Sequence, residues 1–242
     1  MQVSVILPTY NERGGIVELI RAIEERLEPE FAEYELIVVD DNSPDDTAGW
    51  VRQQCAGDRR VRLYVRTEGR GLATAIRYGI ERAAGDIIVA MDTDFQHDPR
   101  MIPQMVKFCE YYDVVVGSRF VMGGGMAQSY RYYYSYVFNL FVRLVTRTQI
   151  QDNLSGFFAM RRAKLMQMDL DRIFQGYGEY FIRLLFYAWR FGYAILEVPV
   201  FYRVRYYGAS KSRLFNMLLN YGRTALSLRL AGAGRRRRPD VG

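Results

Sequence analysis

Short apolar runs alternate with segments of helical periodicity through the first half of the chain. The apolar runs predict five strands, at residues 2–7, 35–40, 61–65, 86–91 and 113–118. Between them, the spacing of apolar residues predicts helices over 16–27, 71–84 and 99–111, and Asn42-Ser43-Pro44-Asp45 predicts the start of another. Strands and helices that alternate in this way indicate βαβ units, and therefore an α/β fold with a doubly wound, mostly parallel sheet.

The second half of the chain has a different pattern. Gly123-Gly124-Gly125 indicates a flexible joint, and residues 130–148 predict an aromatic helix. Its polar residues recur at steps of four and form one stripe: Arg131, Ser135, Asn139, Arg143 and Arg147. Residues 156–160 and 193–203 predict strands, with a helix near 177–191 between them. The last predicted helix, 212–230, sets leucines beside arginines and is amphipathic.

These elements predict one domain over residues 1–211, in which a first half at 1–120 and a second half at 121–211 differ in pattern. Residues 212–242 would add the amphipathic helix and a basic tail that contains Arg235 to Arg238. Apolar runs are interrupted well before the roughly 18–20 residues that a bilayer requires. We therefore expect no transmembrane helix, and a protein that is soluble or peripheral to a membrane.

Charge is distributed unequally between the two halves. Residues 1–120 carry 14 Lys and Arg against 21 Asp and Glu, for a net charge of −7. Residues 121–242 carry 19 against 6, for a net charge of +13. This division indicates an acidic site for a cation in one half and a basic surface for an anionic partner in the other.

Counts of two residue types exclude several classes of site. The single histidine, His97, excludes a metal site built from several histidines and disfavours a Ser-His-Asp triad. Two distant cysteines, Cys55 and Cys109, make a disulfide scaffold or a zinc-cysteine site improbable. We expect His97 to support the structure rather than bind a metal.

Polar clusters follow three of the predicted strands directly, and ligands of parallel sheets bind beyond these carboxyl ends. The strongest cluster for chemistry contains Asp92, Asp94 and Gln96, because two carboxylates one residue apart can hold Mg²⁺ or Mn²⁺ together with substrate phosphates. A solvated acidic loop would show the same short motif. The residues alone therefore leave both interpretations open.

Three further features have a structural and a functional interpretation. Asp40 and Asp41 follow the second strand, where carboxylates accept hydrogen bonds from a ribose or base; Asn42 or Ser43 would instead cap a helix. The loop 205–211, with Arg205 and Lys211, suits a phosphate, and it is equally an ordinary basic turn. Arg119 follows the fifth strand and is expected at the same edge as Asp92.

Seven motifs stand in an order that resembles the family-two inverting glycosyltransferases with the GT-A fold. They are Pro8-Thr9-Tyr10-Asn11-Glu12, Val38 to Asp45 (VVDDNSPD), Gly71-Leu72-x-x-Ala75, Met91 to His97 (MDTDFQH), Gly117-Ser118-Arg119, Asp152-x-x-Ser155-Gly156-Phe157-Phe158, and Glu197-Val198-Pro199 with Arg205-x-x-Gly208-x-Ser210-Lys211. The resemblance covers residues 3–211 and is greatest to the dolichol-phosphate (polyprenol-phosphate) mannose synthases. Thr93 departs from the alanine usual in the family.

This resemblance implies that residues 1–211 form a catalytic domain, with a nucleotide-binding half at 1–120 and an acceptor-binding half at 121–211. It also implies a role for each matching position. The nucleotide sugar would be bound by Pro8, Tyr10, Glu12, Val39, Asp41, Asp92, Thr93, Asp94, Arg119, Arg205 and Lys211. The metal would be bound by Asp92, Asp94 and Gln96. Arg131 and Ser135 would receive the phosphate of the acceptor. The catalytic residues would be Asp94, Arg119, Arg131 and Ser135.

The resemblance also implies a reaction and its partners. Mannose would pass from GDP-mannose to dolichyl or polyprenyl phosphate with inversion, and Mg²⁺ or Mn²⁺ would offset the charge of the leaving diphosphate. The product, a dolichyl β-D-mannosyl phosphate, would serve protein glycosylation or glycolipid synthesis. We expect the protein to bind the cytoplasmic face of a membrane through helices 130–148 and 212–230. A small membrane subunit could be a further partner.

Three alternative functions remain. A UDP-sugar could replace GDP-mannose as the donor to a polyprenyl phosphate. A family-two enzyme that glycosylates a sugar hydroxyl would need a carboxylate base near the acceptor, in a half with six acids and no QxxRW motif. A nucleic-acid-binding protein could use the basic half, but the acids at the strand ends would then have no role, so we expect no nucleic-acid partner.

Overall fold

The computed structural model describes residues 1–203 and 214–231. Its strands are β1 (Val3–Thr9), β2 (Tyr34–Asp40), β3 (Val61–Val65), β4 (Ile87–Ala90), β5 (Val114–Ser118), β6 (Gly125–Met126), β7 (Phe158–Arg161), β8 (Ile195–Pro199) and β9 (Phe201–Tyr202). Its helices are α1 (Ile16–Leu27), α2 (Thr47–Gln54), α3 (Leu72–Arg82), α4 (Ile102–Phe108), α5 (Ser129–Thr146), α6 (Arg162–Leu165), α7 (Leu170–Ile173), α8 (Glu179–Arg190) and α9 (Leu214–Ala231). A 3₁₀ turn, Pro99–Met101, precedes α4.

Seven strands form one sheet in the order β3-β2-β1-β4-β7-β5-β8. All pairs are parallel except the two that β7 makes with β4 and β5. The short strands β6 and β9 form a second, parallel pair. The predicted α/β class with a doubly wound, mostly parallel sheet is therefore confirmed, and β7 is its antiparallel member.

The central strands are buried along their whole length because helices cover both faces of the sheet. Every residue of β1 and β2 is buried, which explains their continuous apolar runs. One face packs against α1 and α4, with Ile20 and Val106 in its core, and the other packs against α3 and α8, with Ile76 and Leu184. The helices leave the carboxyl ends of β1, β2 and β4 available for a site.

The two halves of the sequence share one sheet. Strands β7 and β8 come from the second half, and β7 lies between β4 and β5 of the first. The second half also has a smaller core of its own, in which α5, α8 and α9 pack through Val142, Ile182, Tyr221, Ala225 and Leu228. Helix α9 is thus packed on its neighbours along one side.

Helix α2 and the predicted strand 193–203 differ from their predictions. Helix α2 begins at Thr47, and neither Asn42 nor Ser43 caps it: Ser43 donates its hydroxyl to Asp40 Oδ1 (2.6 Å), while Asp45 accepts from the Thr47 amide (3.0 Å). The predicted strand 193–203 is divided into β8 and β9, which belong to different sheets. The division falls at Val200, whose amide donates to the carbonyl of Ser118 in β5 (3.0 Å) while its carbonyl accepts from the amide of Gly125 in β6 (3.0 Å).

Candidate active site

A cleft of about 390 Å³ opens beyond the carboxyl ends of β1, β2 and β4. The end of β1 contributes Pro8 and Thr9 to its lining, and the segments after β1 and β2 contribute Tyr10, Glu12 and Asp41. The segment after β4 contributes Asp92, Thr93 and Asp94. Arg70, Gly71, Leu72 and Ala75 line the cleft from the start of α3 and the loop before it, and Tyr177 lines it from the loop before α8. Seven residues predicted at the site are therefore brought together: Pro8, Tyr10, Glu12, Asp41, Asp92, Thr93 and Asp94.

Hydrogen bonds between loops hold the floor of the cleft in place. The amide of Asn11 donates to Ser43 Oγ (3.0 Å), and the amide of Glu12 donates to Thr47 Oγ1 (3.1 Å). Asn11 has φ +57°, a left-handed conformation that asparagine tolerates better than most residues. The loop after β1 is thus fixed to the loop after β2, which places Tyr10 and Glu12 beside Asp41.

Asp41 lines the cleft, but protein donors already engage its carboxylate. Oδ1 accepts from Nε of Arg66 (2.8 Å) and from Nη2 of the same guanidinium, while Oδ2 accepts from the amide of Gly71 (2.7 Å). These are three of the roughly four lone-pair positions of a carboxylate. A ligand bound to Asp41 would therefore meet an acceptor that is rigidly oriented and nearly saturated.

Val39 differs from the other residues predicted to hold the nucleoside. It lies within β2, and its side chain is fully buried beside Ile6 and Ile76 in the core under α3. Gly79 of α3 leaves the space that this packing needs, because a Cβ there would stand 3.4 Å from Val39 Cγ2 and only 2.5 Å from Ile6 Cγ2. Any contact of Val39 with a nucleoside would use its backbone.

The segment after β4 turns sharply so that Asp92, Thr93 and Asp94 all reach the cleft. The turn contains Phe95 at φ +62°, which is unusual for a bulky residue and is held by packing of its ring against the core. Asp94 Oδ1 accepts from the amide of Gln96 (3.0 Å), and the Thr93 hydroxyl donates to the carbonyl of Pro8 (3.1 Å). Thr93 thus uses its side chain to join the β4 segment to β1.

His97 supports this turn from behind. Its fully buried ring accepts from the amide of Asp92 at Nδ1 (2.9 Å), so the neutral ring carries its proton on Nε2 and donates it to the Tyr202 hydroxyl (2.7 Å). Tyr202 in turn donates to the carbonyl of Ser155 (2.8 Å). Burial lowers the pKa of His97 to about 4, so the ring is neutral at physiological pH. The structural role expected for His97 is confirmed.

Asp92 and Asp94 fit a hard divalent cation that shares its shell with a substrate. Both carboxylates line the cleft, and carboxylate oxygens are the ligands that Mg²⁺ and Mn²⁺ prefer. Residues 1–203 and 214–231 contain no group of three or more His, Cys, Asp or Glu able to hold a metal. The protein would thus supply only a few ligands to the cation, as in sites where substrate phosphates complete the coordination shell. Gln96, the third predicted ligand, is not among the residues that line the cleft.

Arg119 is held by a buried ion pair. Its Nε and Nη2 donate to the two carboxylate oxygens of Asp152 (2.8 and 2.7 Å), and its backbone amide donates to Oδ2 (3.0 Å). Burial disfavours the charge, but Asp152 outweighs that effect and raises the pKa of Arg119. Arg119 is 5% exposed and is absent from the cleft lining given above. A contact between Arg119 and the donor stays a prediction.

The polar stripe of α5 divides into two parts. Asn139 accepts from the amide of Asn153 (2.7 Å), and Arg143 donates to Gln151 Oε1 (2.6 Å), so these two residues hold the loop 150–155. Arg131 donates to Gln128 (3.0 Å), one turn earlier. The N-terminal part of α5 contacts Phe120, whose ring lies 5.0 Å from that of Tyr132. Acceptor binding by Arg131 and Ser135 therefore stays a prediction, and the middle of the stripe has a structural role.

Two residues of the cleft, Arg70 and Tyr177, lie outside every motif of the sequence. Thr9, Gly71, Leu72 and Ala75 also line the cleft and belong to motifs, but none of the four had a predicted role. Arg70 stands between Gly69 and Gly71, and Tyr177 stands between Gly176 and Gly178. Short loops rich in glycine are the signal that could have identified Arg70 and Tyr177. Arg205 and Lys211, both predicted to contact the donor, lie outside the described residues.

The cleft lies where α/β proteins with a mostly parallel sheet bind their ligands, beyond the carboxyl ends of the strands, and comparison with known proteins gives the family. The model of glycosyl transferase family 2 matches residues 4–168, and the chain belongs to this family. A solved structure of glucosyl-3-phosphoglycerate synthase from Mycobacterium tuberculosis, with Mn²⁺, UDP and phosphoglyceric acid, has a TM-score of 0.70 at 23% identity. The match covers 100% of this chain and 80% of that one, which confirms the GT-A fold.

Curated relatives are similar over much of the chain. A dolichol-phosphate mannosyltransferase of Pyrococcus furiosus is 34% identical over 219 residues, which are 87% of this chain and 59% of that protein. An undecaprenyl-phosphate mannosyltransferase of Micrococcus luteus is 35% identical, with 87% of both chains covered. A dolichol-phosphate mannosyltransferase of Saccharomyces cerevisiae is 33% identical over 68% of this chain and 62% of its own length. This chain thus spans about three-fifths of the Pyrococcus and yeast proteins.

Proposed function

We propose that this protein transfers mannose from GDP-mannose to a dolichyl or polyprenyl phosphate, with inversion at the anomeric carbon. The observation that carries the proposal is the similarity to the Micrococcus luteus undecaprenyl-phosphate mannosyltransferase across 87% of both chains. The cleft supports it, because Asp92 and Asp94 lie there beside residues that suit a nucleoside. The product would be a β-mannosyl phosphate lipid for protein glycosylation or glycolipid synthesis.

The donor would lie across the cleft beyond β1, β2 and β4. Pro8, Tyr10 and Asp41 would contact the nucleoside, and Asp92 and Asp94 would bind Mg²⁺ or Mn²⁺. When bound, this cation would offset negative charge that develops on the departing diphosphate. The DDNSPD sequence at residues 40–45 favours the mannose branch of the family.

A phosphate acceptor matches the chemistry that the second half offers. A phosphate monoester is ionised near neutral pH and needs no strong general base to attack the anomeric carbon, but it must be held in line and its charge offset. Arg131 and Ser135 would supply those contacts from α5. Single displacement by the acceptor oxygen would convert an α-linked donor into a β-linked product.

The acids described in the second half have partners that disfavour a general base. Glu179 accepts from the amide of Tyr177, Glu197 from the amides of Gln151 and Asp152, and Asp169 from the amide of Arg172. Asp152 binds Arg119, and Asp171 binds Arg77. Transfer to a sugar hydroxyl would need a base on the acceptor side. These partners therefore favour an acceptor that is already ionised.

Donor and acceptor assays test this proposal. We expect Mg²⁺- or Mn²⁺-dependent formation of a mannosyl phosphate lipid from GDP-mannose and a short polyprenyl phosphate. UDP-glucose and the polyprenol without its phosphate are the matched controls, and neither should give product. A product from UDP-glucose alone would contradict the mannose donor, and transfer to the free polyprenol would contradict the role of an ionised acceptor.

We also propose that α5 and α9 attach the protein to the cytoplasmic face of a membrane. Each helix in residues 1–203 and 214–231 is too short or too polar to cross a bilayer. Yet α5 exposes Tyr133, Tyr134 and Leu144 by 70%, 72% and 70%. Exposed aromatic and aliphatic side chains beside arginines suit the interface of an anionic membrane. We also propose a small membrane subunit as a further partner of the protein.

Vesicle flotation checks the membrane surface. We expect the wild type to float with vesicles that contain anionic lipid, and the variant Tyr133→Asp/Tyr134→Asp/Leu144→Asp to remain largely in solution, because each carboxylate would have to enter the interface. Tyr111→Asp is the control, since Tyr111 is 76% exposed and follows α4, which packs on the face of the sheet opposite to α8, the helix against which α5 and α9 pack. Equal flotation of the triple variant and the wild type would contradict the assignment.

A further inference from the structure

The cleft lining contains far more negative than positive charge. Four carboxylates line it, those of Glu12, Asp41, Asp92 and Asp94, against a single cation among the described residues, Arg70. Arg70 is exposed and lies next to Gly71, whose amide donates to one of these acids, Asp41. Its guanidinium has no ion pair within 4 Å in the part of the chain that the structure describes, so its charge is available to a ligand.

Two neighbouring arginines are committed to the protein itself. The Arg66 guanidinium binds Asp41 and also donates to the carbonyl of Gly71 (3.2 Å). The Arg119 guanidinium binds both oxygens of Asp152. Both arginines are almost completely buried and would have to leave these partners to bind a ligand. Such a change is costly, because it leaves a buried carboxylate without its counter-charge.

The backbone that carries Arg70 is fixed on both sides. The amide of Gly71 donates to Asp41 Oδ2 (2.7 Å), and the hydroxyl of Thr74 donates to the carbonyl of Gly69 (2.6 Å). Gly71 has φ +141°, which other residues rarely adopt, so the turn depends on glycine there. The Cα of Arg70 is therefore held at the cleft while its side chain projects from a rigid support, an arrangement that lowers the entropic cost of binding.

We propose that Arg70 binds the diphosphate of the sugar nucleotide; this inference rests on the proposed function. A divalent cation between Asp92 and Asp94 would balance those two carboxylates and leave the charge of the diphosphate to be offset by protein side chains. The planar guanidinium of arginine suits phosphate oxygens because it donates two parallel hydrogen bonds. Arg70 thus adds a donor-binding residue to the cleft lining, at a position just before Gly71 that none of the sequence motifs includes.

Binding of nucleotides without turnover tests this role. The full chain is titrated calorimetrically, in the presence of Mg²⁺, with GDP, UDP and the two parent nucleosides. We expect Arg70→Ala to weaken binding of the preferred diphosphate by about tenfold or more, as for loss of a charge-assisted hydrogen bond, and to leave nucleoside binding unchanged. Arg70→Lys should be intermediate, because lysine keeps the charge and loses the two-pronged geometry.

Arg59→Ala is the matched control. Arg59 is also exposed, but it precedes β3 and so lies at the amino end of that strand, whereas the cleft lies beyond the carboxyl ends. It should bind the diphosphate like the wild type. Unchanged diphosphate binding by Arg70→Ala would overturn the assignment while leaving the proposed function intact. An equal loss of nucleoside and diphosphate binding would overturn it as well, because Arg70 would then contact the nucleoside. A wild type that bound neither GDP nor UDP would contradict the proposed function and this inference together.

Discussion

Replacing Asp94 with asparagine is expected to lower the rate of sugar transfer by about 10²–10³-fold, the usual loss when one preorganised electrostatic group is removed from a catalytic site. Asp94 lines the cleft, is 5% exposed and accepts from the amide of Gln96. Asparagine has nearly the same shape and can keep that hydrogen bond through its own Oδ1. The change therefore removes the charge that we assign to the cation and the leaving diphosphate, with little effect on the turn.

The measurement is kcat/KM for the donor at several Mg²⁺ concentrations, with thermal unfolding to show that the variant is folded. Asp98→Asn is the control. Asp98 belongs to the same segment but accepts from the amide of Arg100 and pairs with Arg203, and it is not among the residues that line the cleft. It should retain a rate close to that of the wild type. Wild-type turnover and Mg²⁺ dependence in Asp94→Asn would show that the metal assignment is wrong.

Replacing Asp152 with asparagine is expected to lower the free energy of unfolding by about 3–5 kcal/mol, the cost of leaving a buried charge without its partner. Asp152 is completely buried, and its two oxygens bind the guanidinium of Arg119. Asparagine keeps an acceptor for the backbone but not the negative charge. The loss is large beside the total stability of a typical domain, about 5–15 kcal/mol. Urea denaturation measures it.

The double variant Arg119→Met/Asp152→Asn separates charge from packing. Because it removes both charges, it should be more stable than Asp152→Asn alone. Asp171→Asn serves as the exposed control: Asp171 pairs with Arg77 but is 81% exposed, and such pairs contribute at most about 1 kcal/mol. A loss of similar size in Asp152→Asn and Asp171→Asn would show that the buried pair contributes little.

The strands were predictable because most are apolar over their whole length. β1 and β2 are buried on both faces, and that environment requires the continuous hydrophobic runs seen in the sequence. The end of the 193–203 segment was less predictable. Whether residues after Pro199 continue one sheet or join another depends on β6, about 75 residues earlier, and local patterns carry no information about such a distant partner.

The donor side of the site was more predictable than the acceptor side. Pro8, Tyr10, Asp41, Asp92 and Asp94 lie at strand ends or just after them, and parallel strands bring their carboxyl ends together whatever the helices do. The acceptor side depends on how α5 packs. Its regular stripe predicted a single surface, but the loop 150–155 takes up the middle of that stripe in the folded chain.

The sequence by itself determined the alternation of strands and helices, the family and the acids at the strand ends, because each of these is a local pattern. The tertiary structure alone decided which charges remain available. Arg66 and Arg119 are neutralised by Asp41 and Asp152, partners 25 and 33 residues away, whereas Arg70 is left on the cleft wall. The energy of a charge depends on its distance to other charges and on its burial, and folding sets both by bringing distant segments together.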